Sequence, residues 1–202
     1  MIIGVTGGIA SGKSEVCRIL EENGFFHIDA DEIAHIVLEF PEVINEITAE
    51  FGTDILSNDR GKDKDIRIDR GKLGKIVFND PEKMNRLENI THPRIIQQIH
   101  IIINEGKSKN YVIEAIEIVK SGLINICDEL WVVHVEPEQQ MKRLIENRGL
   151  SLAEAEARLK SQEEHDWDES KADRIIYSTE PIETMEKQVY KALSAINHKS
   201  QR

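Results

Sequence analysis

Aromatic residues are scarce in this chain: five Phe, three Tyr and two Trp make up 5% of 202 residues. A core must therefore come from Ile, Leu and Val, and 40% hydrophobic content is enough for one α/β domain with small inserted subdomains. Cysteine is nearly absent. Cys17 and Cys127 alone exclude a disulfide framework and suit a reducing compartment. Neither has a metal-ligand partner close by in sequence, so ordinary buried packing is expected for both. Basic residues are outnumbered, 26 Lys and Arg against 37 Asp and Glu, for a net charge of −11. That disfavours a nucleic-acid binder, which needs a basic face. No apolar run approaches the ~20 residues of a membrane span. No basic, apolar leader precedes the first β-branched run, so a cytoplasmic setting is expected, with no membrane partner. Repeats and low-complexity tracts are also missing.

The most informative stretch runs from Ile3 to Ser14. Gly7, Gly12, Lys13 and Ser14 fit the G-x-x-x-x-G-K-[ST] phosphate-binding loop, or P-loop. A short β-branched strand precedes it and a helical pattern follows, which is the context the motif requires. Glycines let consecutive backbone N–H groups wrap a polyphosphate, and the next helix adds its positive end. Lys13 is expected to reach the β- and γ-phosphates, and the Ser14 hydroxyl to ligate Mg²⁺. The motif alone does not choose between kinase, switch and ATPase.

Hydrophobic patterning predicts strands at Ile2–Thr6, Phe25–Ile28, Tyr111–Ile113, Leu130–Val135 and Arg174–Tyr177. Helical patterns lie between them. Asn23-Gly24 ends the first helix, and Pro41, Asp80-Pro81 and Pro137 open others. His92-Pro93 is expected to break a helix, and Ser151-Leu152-Ala153-Glu154 reads as a capping box. The polar stretch from Ser57 to Arg70 reads as an exposed loop. Alternating strands and helices predict a five-stranded parallel sheet flanked by helices. The expected layout is a single P-loop kinase domain. Its core comprises 1–40, 108–137 and 172–202, with a helical substrate-binding insert at 41–107 and a helical lid at 138–171.

In such a fold ligands sit beyond the carboxyl ends of the strands. Asp29 and Asp31 follow strand two on that rim. Two readings are open for Asp31. It is either the acid that accepts the proton of an acceptor hydroxyl or the N-cap of the next helix. Asp29 divides between a Mg²⁺-water contact and plain structure. Lys142, Arg143, Arg148 and Arg158 sit on a helix pair after strand four. They are either a closing lid that neutralises transferring phosphate or a solvated face with i,i+4 pairs such as Glu154 with Arg158. His92 divides between packing and substrate contact. A dinucleotide site would need G-x-G-x-x-G, which the first loop lacks. A nucleotide switch would place Asp-x-x-Gly after strand three, and none is there. Trp131 reads as core strand.

Several separate segments resemble the dephospho-coenzyme A kinase family. Thr6-Gly7-Gly8-Ile9-Ala10-Ser11-Gly12-Lys13-Ser14 is similar to its P-loop and Ile28-Asp29-Ala30-Asp31 to its Ile-Asp-Ala-Asp motif. Asp69-Arg70 with Leu73-Gly74 and Val77-Phe78, then Leu87 and Ile90-Thr91-His92-Pro93, resemble its substrate-side helices. Gly149-Leu150-Ser151, Arg158 and Gln162 resemble its lid. These matches run in order from Met1 to Ile176. The resemblance implies transfer of the ATP γ-phosphate to the ribose 3′-hydroxyl of dephospho-coenzyme A, with Mg²⁺ as cofactor. It implies ATP binding by Gly8, Ala10, Ser11, Gly12, Lys13, Ser14, Glu15, Arg143 and Arg148. Asp31, Lys13 and Arg143 would be catalytic, and Thr6, Asp31 and His92 would meet the acceptor. The chain is expected to be a monomer or weak homo-oligomer. A Mg-ATP kinase for another nucleotide or small alcohol is the rival within the same class.

Four departures stand out. Glu15 replaces a small residue and is expected to point away from the loop. Glu114-Ala115-Ile116-Glu117-Ile118-Val119-Lys120 replaces Asp-x-Pro-Leu-Leu-Phe-Glu. Asn147 stands where a lid arginine is usual, with Arg148 following. Ser178-Thr179-Glu180-Pro181 replaces an Asn-rich segment.

Overall fold

A computed structural model describes residues 1–57, 66–78, 80–160, 169–179 and 181–199. The middle of the polar Ser57–Arg70 stretch, Gln162 and Glu180 lie outside the described residues. The chain forms two compact units, Met1–Asp29 with Lys107–Arg202, and Ala30–Gly106.

The first unit holds a parallel sheet of β1 (Ile2–Thr6), β2 (Phe26–Asp29), β3 (Tyr111–Glu114), β4 (Glu129–His134) and β5 (Arg174–Tyr177), in the order β2-β3-β1-β4-β5. Its helices are α1 (Lys13–Glu22), α6 (Pro137–Glu146), α7 (Leu152–Lys160) and α8 (Ile182–Lys199). Because the strands are all parallel, their carboxyl ends share one rim. β3 lies between β1 and β2, with Val5 and Asp29 both in register with Glu114. That register places Glu114 beside the P-loop strand.

Ile3, Val5, Val16, Ile19, Leu20, Val112 and Val133 pack with Met185 and Val189 of α8 in one core. The shortage of rings leaves Trp131 as the largest fully buried side chain. Its indole N–H donates to Glu129 Oε2 at 2.9 Å, and Arg174 pairs with that carboxylate while lying 5.8 Å from the ring centre. The buried N–H is thus satisfied, and the guanidinium gains a ring face. At the start of α7 the Ser151 hydroxyl accepts from Glu154 N while the Ser151 N–H donates to Glu154 Oε2, which is the predicted capping box.

The second unit is helical: α2 (Ala30–Val37), α3 (Pro41–Phe51), α4 (Arg70–Val77) and α5 (Pro81–Glu105). Asp69 and Asp80 cap α4 and α5, accepting from the N–H groups of Lys72 and Lys83. Residues 30–40, expected with the core, belong to this unit because α2 packs on α5.

The predicted break at His92-Pro93 does not occur. α5 runs through Pro93. Proline removes one helical hydrogen bond, but the buried stripe of Glu88, Thr91, Ile95 and Ile99 continues across it. Burial along that face outweighs the lost bond. A helix-interior proline costs ~3 kcal/mol relative to alanine, offset by ~0.4–1 kcal/mol of lost unfolded-chain entropy. Pro93→Ala is therefore expected to stabilise the chain by about 2–2.6 kcal/mol. Urea unfolding measures this, and a destabilised variant would mean that α5 needs its proline bend for packing.

Candidate active site

The loop between β1 and α1 has its carbonyl oxygens engaged by side-chain donors. Buried Lys13 donates through Nζ to Gly7 O at 3.0 Å and Gly8 O at 3.1 Å. Gln140 Nε2 donates to Ile9 O at 2.7 Å. Arg143 Nη1 donates to Ala10 O and Ser11 O, both at 3.1 Å. Five successive carbonyls are held this way, which favours turning the N–H groups to the opposite side as an anion nest. Gly7 (φ 148°) and Gly12 (φ 102°) supply backbone angles that side chains rarely adopt. A Cβ on Gly7 would also lie 2.5 Å from Val133 O. Ala10 holds φ 56° without being glycine, a left-handed conformation worth ~1–2 kcal/mol of local strain.

Arg143 belongs to the last turn of α6. Beyond the loop carbonyls, it donates to Ser178 Oγ at 2.9 Å and Ser178 O at 3.3 Å. Ser178, just past β5, is buried. One guanidinium thus ties α6, the P-loop and the end of β5 together. Gln140 and Ser178 are functional neighbours that the sequence reading missed. The signal available for Gln140 was its position one helical turn before Arg143 on the same face.

At the opposite wall of the loop the Ser14 hydroxyl donates to Glu114 Oε1 at 3.0 Å. Glu114 Oε2 lies 3.2 Å from His27 Nε2, off-axis for an aligned hydrogen bond but close enough to pair electrostatically. Burial raises the Glu114 pKa, but His27, Ser14 and Lys13 outweigh it and hold the carboxyl below its ordinary range. His27 is raised, chiefly by Glu114 and against the effect of burial, with smaller contributions from Glu21 and Asp29. Burial, with Glu114 adding to it, pushes the Cys17 thiol up, and burial takes Cys127 to about 12. Without a metal, both thiols are protonated at neutral pH.

Glu15 turns to Arg18, away from the loop, as expected. Thr6 is buried, and its hydroxyl donates to Ile116 O at 2.9 Å, fixing the chain after β3. Asp31 is exposed within the first turn of α2, two residues after β2 ends. Helix α2 begins at Ala30, so Asp31 is not its N-cap. His92 is half-buried on α5. Arg148 is exposed just past α6, and Arg158 is exposed in the last turn of α7.

A five-stranded parallel sheet with this loop after its central strand defines a P-loop kinase fold. Shikimate kinase from Bacteroides thetaiotaomicron shares that fold at a TM-score of 0.57 and 13% identity, over 98% of each chain. The family model described as Dephospho-CoA kinase matches residues 1–183. A dephospho-CoA kinase from Carboxydothermus hydrogenoformans is 40% identical over 93% of this chain and 90% of its own. The structure of a dephospho-CoA kinase from Campylobacter jejuni superposes at a TM-score of 0.58 with 34% identity, over 96% of both chains. The chain belongs to the dephospho-CoA kinase family and is a phosphotransferase. Among the described residues no helix is long and apolar enough to cross a membrane.

Two outcomes follow from this geometry. Gln140→Ala removes one of the carbonyl ties, a bond worth about 1 kcal/mol, so ATP should bind roughly fivefold more weakly in calorimetry. An unchanged affinity would mean that Arg143 and Lys13 suffice to shape the loop. The second concerns pH. A raised His27 adds stability below its ordinary 6.5, lost as pH rises through its folded value. A lowered Glu114 adds stability above its ordinary 4.5, lost as pH falls through its folded value. The pair therefore contributes most between 4.5 and 6.5. In metal-free buffer His27→Gln should lower Tm more at about pH 6 than at about pH 8.5. An equal loss at both would show that His27 acts by packing alone.

Proposed function

We propose that this chain transfers the γ-phosphate of ATP to the ribose 3′-hydroxyl of dephospho-coenzyme A, giving coenzyme A. The observation that carries this reading is the P-loop whose carbonyls are tied back by Lys13, Gln140 and Arg143. Such a nest takes a polyphosphate, and membership of the family supplies the acceptor.

The resting contacts suggest how the residues act. Lys13 leaves neutral carbonyls for the β- and γ-phosphates, exchanging weak acceptors for charged ones. Arg143 is within reach of the same loop and can turn one edge of its fork to the transferring group. Ser14 and Glu114 present adjacent hard oxygen donors, a set that fits Mg²⁺ and would hold it beside the phosphates. The cation, when bound, neutralises charge on the β- and γ-phosphates. Asp31 accepts the hydrogen bond of the acceptor hydroxyl, aims its lone pair at phosphorus and takes the proton as the new bond forms. Its first-turn position on α2 adds helix-dipole support to the carboxylate. His92 and the second unit's helices carry the acceptor, Arg148 adds charge at the phosphates, and the pair α6–α7 closes over them. The enzyme is proposed to work as a cytoplasmic monomer or weak homo-oligomer, with no nucleic-acid partner.

ADP release with Mg-ATP and dephospho-coenzyme A tests the reading, run beside adenosine, nucleoside monophosphates and shikimate. Turnover should be selective for dephospho-coenzyme A. Asp31→Asn should lower kcat about 10²–10⁴-fold with ATP affinity unchanged. Faster turnover of another alcohol would reassign the acceptor, and an active Asp31→Asn would remove Asp31 from the chemistry.

A further inference from the structure

Beneath the P-loop, three side chains from three elements converge: Cys17 of α1, His27 of β2 and Glu114 of β3. Their Sγ, ring nitrogen and carboxylate oxygen all lie within 4.8 Å of one another. We propose that this triad binds a thiophilic divalent cation of the zinc type, and that the bound cation withdraws negative charge that Glu114 otherwise presents to Ser14. The binding is independent of the kinase reading, whereas its effect on turnover rests on it.

Four observations support the site. First, the donor set is mixed sulfur, nitrogen and oxygen, which suits zinc and not Mg²⁺ or Ca²⁺. Second, His27 Nε2 is buried, makes no aligned hydrogen bond and stands 3.2 Å from Glu114 Oε2, so a cation between the two takes the place of the proton they share. Third, a second carboxylate stands on the other side of the ring. Glu21 Oε2 lies 4.0 Å from His27 Nδ1, too far for a hydrogen bond but close enough to favour a proton on Nδ1 when Nε2 takes the cation. Fourth, access is one-sided. Cys17 is fully buried, but the His27 side chain is 22% exposed and Glu114 12%, so a cation reaches the thiol past the imidazole.

The geometry needs little adjustment. Tetrahedral zinc with bonds of about 2.0–2.3 Å holds its ligand atoms about 3.3–3.8 Å apart. Nε2 and Oε2 already stand at 3.2 Å, and the thiol closes the remainder by rotation. Water completes the fourth position. Binding replaces the Cys17 S–H bond by a metal–thiolate bond and releases the proton to solvent. Glu114, within 4.8 Å of the thiol and partly exposed, gives that proton a path outward. With Oε2 committed to the cation, Glu114 keeps Oε1 on Ser14 but offers it less negative charge, at the point where Ser14 must face Mg-ATP.

Cobalt(II) is the direct probe, because a thiolate–cobalt bond gives a near-ultraviolet charge-transfer absorption that carboxylate and imidazole ligands do not. The metal-free full-length chain should take up one equivalent of Co²⁺ with that band, and Zn²⁺ should displace it. Cys17→Ala should abolish the band, Cys127→Ala should keep it, and His27→Gln should weaken binding about tenfold or more. Zn²⁺ should slow turnover by wild type with excess Mg²⁺ present and leave Cys17→Ala at its basal rate. No charge-transfer band, or one that survives in Cys17→Ala, overturns the site. Full turnover by the zinc-loaded protein overturns the coupling to Glu114. Because absorption reads binding without catalysis, a chain that fails to phosphorylate dephospho-coenzyme A still reveals whether the triad holds the metal.

Discussion

The site depends on where the carbonyl oxygens of one short loop point. A backbone segment cannot offer its N–H groups to a ligand while its carbonyls face the same way. Here Gly7, Gly8, Ile9, Ala10 and Ser11 all have their oxygens engaged by Lys13, Gln140 or Arg143. Two of these donors come from α6, far along the chain. The loop is therefore shaped by its own lysine and by a helix that follows β4. The strain at Ala10 persists because those contacts over-determine it.

Glu114 is the second node, and the sheet explains why. Its place at the end of β3, between β1 and β2, sets it in register with both Val5 and Asp29. From there one carboxylate reaches Ser14 on the loop side and His27 on the β2 side. A carboxylate so buried would ordinarily be driven toward its neutral form. Its neighbours hold it ionised instead, and His27 and Cys17 beside it supply the nitrogen and sulfur of a metal-binding triad. The proposed Mg²⁺ support and the proposed zinc site thus draw on one side chain.

Local features were legible in the sequence. β1, β5 and α1 fall where the patterning placed them, since β-branched alternation, a P-loop and an Asn-Gly stop are strong signals over short distances. Asp80-Pro81 and the Ser151–Glu154 box announced their helices because capping is a local hydrogen-bond problem. Pro93 misled, because proline's effect on a helix is local and the burial that overrides it is not. The residues proposed to bind phosphate were named through the motif, but the side chains that hold their carbonyls were not. Gln140 reaches the loop from 131 residues away, and Ser178 meets Arg143 across 35. Cys17 and His27 have no metal-ligand spacing in sequence. Only the order β2-β3-β1, with β3 arriving late in the chain, brings them to Glu114.

The charge balance adds a final constraint. A chain of net charge −11 repels polyphosphate at long range, so binding must be won at contact distance. The two cations nearest the loop are not idle in the resting protein. Lys13 and Arg143 both donate to neutral backbone oxygens. Those bonds are weaker than the charge-assisted bonds a phosphate offers, so exchange is downhill while the unliganded loop keeps its shape. A lysine extended into solvent would start from stronger hydration and a disordered stem, and would lose both on binding. Curling Lys13 onto the loop stores the cation, partly desolvated, within one side chain's length of where it acts. Pre-organisation of this kind lets a strongly acidic protein hold a strongly acidic ligand.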